Sequence, residues 1–195
     1  MKIAIKNVKM MQGMDGMAVN ATVYLDGKRA GIAIDDGHGG ELMVDPMYDA
    51  DASAAAKLRE LRCDARLTDA VEQLLQDWEL KKQIKGWSRN NTLFRLKGDK
   101  KGEWRTVRRR YDAAVQKYLN DKYGDKIEII GSLFCKEPVE GDLDELATKY
   151  RAELEARFAD MNKQSAESKQ TKQTKQTKQT KQTKQTKQTK QTKSA

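Results

Sequence analysis

Arg95, Lys97, Lys100, Lys101, Arg105, Arg108, Arg109 and Arg110 fall within sixteen residues, with Trp104 and Tyr111 set among them. Cations at this density have one general use, the neutralisation of phosphates, and neighbouring aromatic rings offer faces on which bases stack. The eight residues are therefore the candidate nucleic-acid-binding set. Neither a ribonucleoprotein consensus nor a helix-turn-helix signature accompanies them, so base readout is not legible. The same charges would also serve to keep an edge strand soluble and unpaired.

Other chemistry is thinly represented. Asp35, Asp36, His38 and Glu41 lie close together and carry ligand-type side chains, which makes a divalent cation and a metal-dependent nuclease the most distant reading. A glycine-rich segment following a strand is more simply a turn, and no metal is expected there. Cys63 and Cys135 stand far apart without a CxxC or a neighbouring histidine. That argues against a zinc site or disulfide scaffold and fits a reducing cytoplasm. No GxSxG, Walker A or HExxH pattern occurs. A non-enzymatic protein without a cofactor or small-molecule ligand is the expectation.

The elements that must position the basic set can be read from periodicity and turns. Ile3 and Ile5 alternate with charged residues as in a strand. The pair Asp26-Gly27 is a strong hairpin signal, because a type I′ turn needs positive φ at both central positions. A two-residue loop pairs Leu25 with Lys28, and regular alternation then pairs Val23 with Ala30, Ala21 with Ile32 and Val19 with Ile34. Those pairs would share the buried face. From Ser53 the pattern turns helical through Ala54, Leu58 and Leu61. A second helix carries Leu67, Val71, Leu74, Leu75 and Trp78 and is expected to stop at Gly86.

The basic residues themselves sit on a second hairpin. Phe94 and Leu96 alternate with Arg95 and Lys97, while Trp104 and Thr106 flank Arg105. With Lys97 opposite Glu103, Gly98–Gly102 forms the loop and Leu96 meets Trp104 on the buried face. Arg95 then stands opposite Arg105 on the exposed face, a destabilising arrangement that a bound anion would reverse. Asp112 caps a third helix through Val115, Tyr118 and Leu119 to Gly124. "KIEII" reads as a further strand. Asp142 and Glu145 cap a last helix with Leu143, Ala147, Tyr150, Leu154, Phe158 and Met161 along one stripe, expected to pack on the sheet.

The formal charge of +9 belongs to the C-terminal end. Nine lysines and no acid follow Ser168, in eight tandem KQT triplets and a last lysine, so residues 1–168 are neutral. Within them, residues 81–110 hold twelve basic side chains against Asp99 and Glu103, and both flanks are net acidic. Such sign asymmetry points to a polyanionic partner or to internal pairing. The KQT run has no apolar side chain to offset its ordering entropy and is expected to be disordered. No apolar stretch approaches a membrane span, and the charged N-terminus is not a signal peptide.

The segments "KIAIKNVK", "ATVYLDGKRAG" and "NTLFRLKGDKKGEWRTV…YDAAVQKYLNDKYGDKI" resemble a group of small uncharacterised proteins encoded by tailed bacteriophages. The resemblance spans the first hairpin and about residues 84–127. It implies a phage origin and the host cytoplasm, and it carries no catalytic residue. The reading is a single α+β domain over residues 1–162. Within it lie an N-terminal β region over 1–45, helices over 52–86, the basic hairpin with a helix and strand over 92–130, and a C-terminal helix over 142–162. A Lys-Gln-Thr tail covers 163–195. The expected activity is nucleic-acid binding through residues 81–110; the alternative is an inhibitor or adaptor that binds a host protein.

Overall fold

The computed structural model describes residues 1–100 and 102–163, so Lys101 and the KQT tail, with the disorder expected of it, lie outside the described residues. The fold is α+β. The described residues fall into two units, Met1–Tyr150 and one that begins at Arg151. In the first unit the strands β1 (Lys2–Gln12), β2 (Met17–Leu25), β3 (Lys28–Asp35), β4 (Met43–Pro46) and β8 (Glu140–Asp142) make an antiparallel sheet in the order β4-β3-β2-β1-β8. A second antiparallel sheet, in the order β6-β5-β7, contains β5 (Thr92–Leu96), β6 (Arg105–Val107) and β7 (Ile127–Ile130). The helices are α1 (Ala52–Leu61), α2 (Ala65–Trp87), α3 (Ala113–Tyr123) and the single turn α4 (Gly131–Phe134).

The β2–β3 turn is what its two residues demand: Asp26 has φ +50° and Gly27 φ +80°. Asp26 also accepts the Lys2 backbone N–H at 3.0 Å, tying the start of β1 to the turn. Leu25 pairs with Lys28 as expected, but the register then departs from regular alternation. Tyr24 pairs with Arg29, Val23 with Gly31, Ala21 with Ala33 and Val19 with Asp35. Ala30 is an extra, bulged residue, and one extra residue sends every later side chain to the opposite face. Ala33 is therefore buried, while Ile32 and Ile34 are only half-buried.

Packing explains the bulge. A Cβ on Gly31 would lie 2.2 Å from the Asp45 carbonyl oxygen and 2.3 Å from Leu58 Cδ2. Only a residue without a side chain fits where α1 and β4 close on the sheet. The small residues Ala21, Ala30, Ala33 and Ala54 extend that close approach within the first core, where Ile3, Ile5, Val23, Leu25 and Leu58 supply the bulk.

The second helix runs from the first core to α4. Asp64 caps α2 by accepting the Arg66 N–H at 2.9 Å. Leu67, Ala70, Val71, Leu74 and Leu75 pack in the first core, and Ile84 near the other end is fully buried. A Cβ on Gly131 would lie 2.9 Å from Ile84 Cγ2 and 3.2 Å from Leu93 Cβ, which places α4, α2 and β5 in close contact. The helix passes through Gly86 and ends one residue later, with the Ser88 N–H reaching the Ile84 carbonyl at 2.8 Å. That extra residue is Trp87.

Asp112 caps α3 through the Val115 N–H at 2.8 Å, and Val115 and Leu119 join Phe94 and Leu96 in a second core. Asp142 accepts the N–H groups of Asp144 and Glu145 at 3.0 and 3.4 Å. Residues 143–150 are helical in the first unit, and Leu143, Leu146 and Ala147 are buried there. Residues 151–163 are helical in the second unit, where Leu154, Phe158 and Met161 are exposed. The expected packing of this stripe on the sheet holds for Leu143 and Ala147. Among the described residues no helix is long and apolar enough to cross a membrane.

Candidate nucleic-acid interface

The basic residues are presented by β5, β6 and their connection, but not in the expected register. Thr92 pairs with Val107, Leu93 with Thr106 and Phe94 with Arg105. The expected opposition of Arg95 and Arg105 does not occur. In place of one loop over Gly98–Gly102, the connection makes two turns, closed by Asp99 N–H to the Leu96 carbonyl at 3.1 Å and Glu103 N–H to the Lys100 carbonyl at 3.0 Å. Gly98 and Gly102 both take positive φ, at +94° and +91°. Leu96 and Trp104 likewise do not meet: Leu96 belongs to the second core, whereas the Trp104 ring stands 6.4 Å from Phe134.

Several cations find carboxylates inside the fold. Arg95 is only 16% exposed and makes a two-pronged contact with Glu128, Nε to Oε2 at 3.1 Å and Nη2 to Oε1 at 2.9 Å. Arg105 does the same with Asp99, at 2.8 and 2.7 Å. Asp99 also accepts the Leu96 N–H at 3.0 Å. Together the Arg105 guanidinium and that backbone N–H hold its carboxyl down to about 2. Arg109 pairs with Asp112 at 2.9 Å, so the cap of α3 also neutralises a member of the basic set. Asp112 is lowered by the Val115 N–H first and Arg109 second.

The remaining cations are placed differently. Arg110 donates to the Arg89 carbonyl at 2.7 Å and to Asn90 Oδ1 at 3.5 Å, contacts that orient the guanidinium without a carboxylate partner among the described residues. Lys97, Lys100 and Arg108 are exposed and have neither ion pair nor side-chain hydrogen bond among the described residues. The same is true of Lys85 and Arg89 at the end of α2. Lys101, the eighth member of the predicted set, lies outside the described residues. The fold thus separates the described members of the set into three paired arginines, and unpaired cations that follow β5 (Lys97, Lys100) and β6 (Arg108, Arg110).

Sequence reading missed one feature of this surface. Trp87 is 55% exposed and lines an open groove of about 380 Å³ with Asn91, Leu93, Gly102, Trp104 and Thr106. The helical pattern of α2 gave no signal for it, because Gly86 reads as a stop and Trp87 follows.

The acidic segment after β3 is organised by its own backbone. Asp35 accepts the Gly37 N–H at 2.8 Å and Asp36 the His38 N–H at 3.0 Å. Among the described residues no group of three or more His, Cys, Asp or Glu is placed to hold a metal ion. Comparison with protein-family models, curated proteins and solved structures finds no match to this chain. The functional reading rests on the side chains described above.

Proposed function

We propose that this protein binds nucleic acid, without catalysis, through Lys97, Lys100, Arg108 and Arg110 together with Lys85 and Arg89. In this reading it is a phage-encoded accessory protein acting in the host cytoplasm. The observation that carries the reading is the exposure of Lys97, Lys100 and Arg108 without a partner among the described residues. A cation already held by a carboxylate must break that contact to meet a phosphate. An exposed, unpaired one exchanges only water and counterions, and the released counterions drive association. Arg95, Arg105 and Arg109 are scaffold in this proposal: they fix the hairpin and the cap of α3.

The test uses the full chain and fluorescently labelled oligonucleotides, with affinity followed against salt. Replacing Lys97, Lys100 and Arg108 by Gln together should reduce the slope of log affinity against log salt by roughly 2–3, from about 0.7–0.9 per phosphate contact. The lysine-rich tail contributes equally to both proteins and cancels in the difference. An unchanged slope with intact folding refutes the proposal.

One observation favours a second reading. Leu154, Phe158 and Met161 stand at helical spacing and are 37%, 54% and 55% exposed, a stripe suited to a host-protein partner. Co-purification of one host protein that survives nuclease treatment, and is lost on Leu154→Asp and Phe158→Asp, would support it.

A further inference from the structure

The geometry points to a nucleobase site in the groove between Trp87 and Trp104, and hence to single-stranded rather than duplex nucleic acid as the ligand. The inference rests on the nucleic-acid reading above and adds to it which form is bound.

Three observations converge on this groove. The first is the indole of Trp87, more than half exposed at the last position of α2. Both tryptophans line the same open groove, and the buried Leu93 side chain contributes to its lining. Flat aromatic surface beside a concavity accepts any base, since every base has a π-face.

The second is polar chemistry at the groove. Asn91 and Thr106 line it; Asn91 uses its amide Nδ2 on the Trp87 carbonyl at 3.3 Å, which holds the side chain in place. The amide oxygen of Asn91 and the hydroxyl of the exposed Thr106 remain as groups able to hydrogen-bond a base edge.

The third is charge. Trp87 stands two residues from Lys85 and two from Arg89, Gly102 two from Lys100, and Thr106 two from Arg108. All four cations are exposed and without an ion pair among the described residues. Exposed cations carried on each of the segments that line the groove suit a phosphate backbone running past it. A duplex offers its phosphates to these cations but keeps its base faces stacked. Only an unpaired strand can supply both contacts without extruding a base.

The experiment compares a labelled pyrimidine single strand with the duplex of the same sequence, using the full chain. Binding to the single strand should quench tryptophan fluorescence. Trp87→Ala should weaken the single strand by about 5- to 150-fold, the loss expected for one stacked base, and leave duplex affinity and the salt slope unchanged. Trp87→Phe should recover part of the loss, which a merely structural role for an exposed residue would not require. The charge variant of Lys97, Lys100 and Arg108 separates the two ideas. If it weakens both nucleic acids while Trp87→Ala weakens neither, or both equally, the base site is refuted and the nucleic-acid reading stands. If the charge variant changes nothing, both fail. Retained binding of an acidic peptide that Trp87→Ala abolishes, with no effect on either nucleic acid, would assign the groove to a protein partner and overturn the inference.

Discussion

Asp99→Asn should turn one of the scaffold arginines into a binding residue. The Asp99 carboxylate takes three hydrogen bonds, one from the Leu96 N–H and two from Arg105. The substitution keeps the shape and an acceptor for Leu96 but removes the charge that holds Arg105, whose side chain is already 51% exposed. One more cation then becomes available to phosphate. The magnitude of the salt slope should rise by roughly 0.7 for a single strand or 0.9 for a duplex, which at 0.1 M salt is about a five- to eight-fold gain in affinity. Arg105→Gln alone should change the slope much less than Arg108→Gln does, and the double variant Asp99→Asn with Arg105→Gln should return to the parent value. Titrations by fluorescence anisotropy across a salt series read the four variants against the parent. The sign with pH also follows. The folded-state carboxyl lies below its ordinary value of 3.8, at about 2, so its contribution to stability is present above 3.8 and is lost as pH falls toward 2. The difference in melting temperature between parent and Asp99→Asn should close over that window. An Asp99→Asn protein that keeps its near-ultraviolet tryptophan signal yet shows an unchanged or smaller slope would refute the assignment of Arg105 to this surface.

Two glycines of the first hairpin should fail for different reasons when substituted. A Cβ on Gly27 would meet no atom within 4 Å, so the cost of Gly27→Val is chiefly the strain of φ +80°, about 1–3 kcal/mol, and should be the same with or without Leu58→Ala. Gly31→Ala should also cost about 1–3 kcal/mol, but through overpacking against Leu58 and Asp45, and Leu58→Ala should relieve part of it; chemical denaturation of the cycle checks this, and zero coupling contradicts the bulged register. Burial, then the charges of Asp35 and Asp69, raise the Glu72 carboxyl above 4.5, so the ionised form penalises the fold at neutral pH and protonation relieves it. Glu72→Gln should therefore raise the melting temperature at pH 7, with the gain fading as pH falls toward 4.5; a loss at neutral pH would show that Glu72 is held by a contact that the burial argument omits.

What the sequence by itself determined lies within a few residues of each signal. Asp26-Gly27 makes its turn because positive φ is a property of those two residues, and Asp112 and Asp142 cap their helices because the N–H groups they meet are two or three positions away. The alternation of Phe94 with Leu96 and the stripe on α2 follow from periods of two and 3.6, so the α+β class and most helix limits were legible. The short strands β4 and β8 carried no such period; β4 exists by pairing with its neighbour β3, and β8 by pairing with β1 at the other end of the sequence.

The register beyond Ala30 was decided by Leu58 and Asp45, which crowd Gly31 from other elements. The electrostatics divide in the same way. The excess of cations over 81–110 is a property of composition, but which of them are free is a property of the fold. Glu128 on β7 reaches Arg95 on the neighbouring β5, thirty-three residues away, and Asp99 reaches Arg105 only because the connection folds into two turns. Charge can be counted along a chain, whereas its neutralisation requires carboxylate and guanidinium within about 3 Å, and that distance is set by tertiary packing.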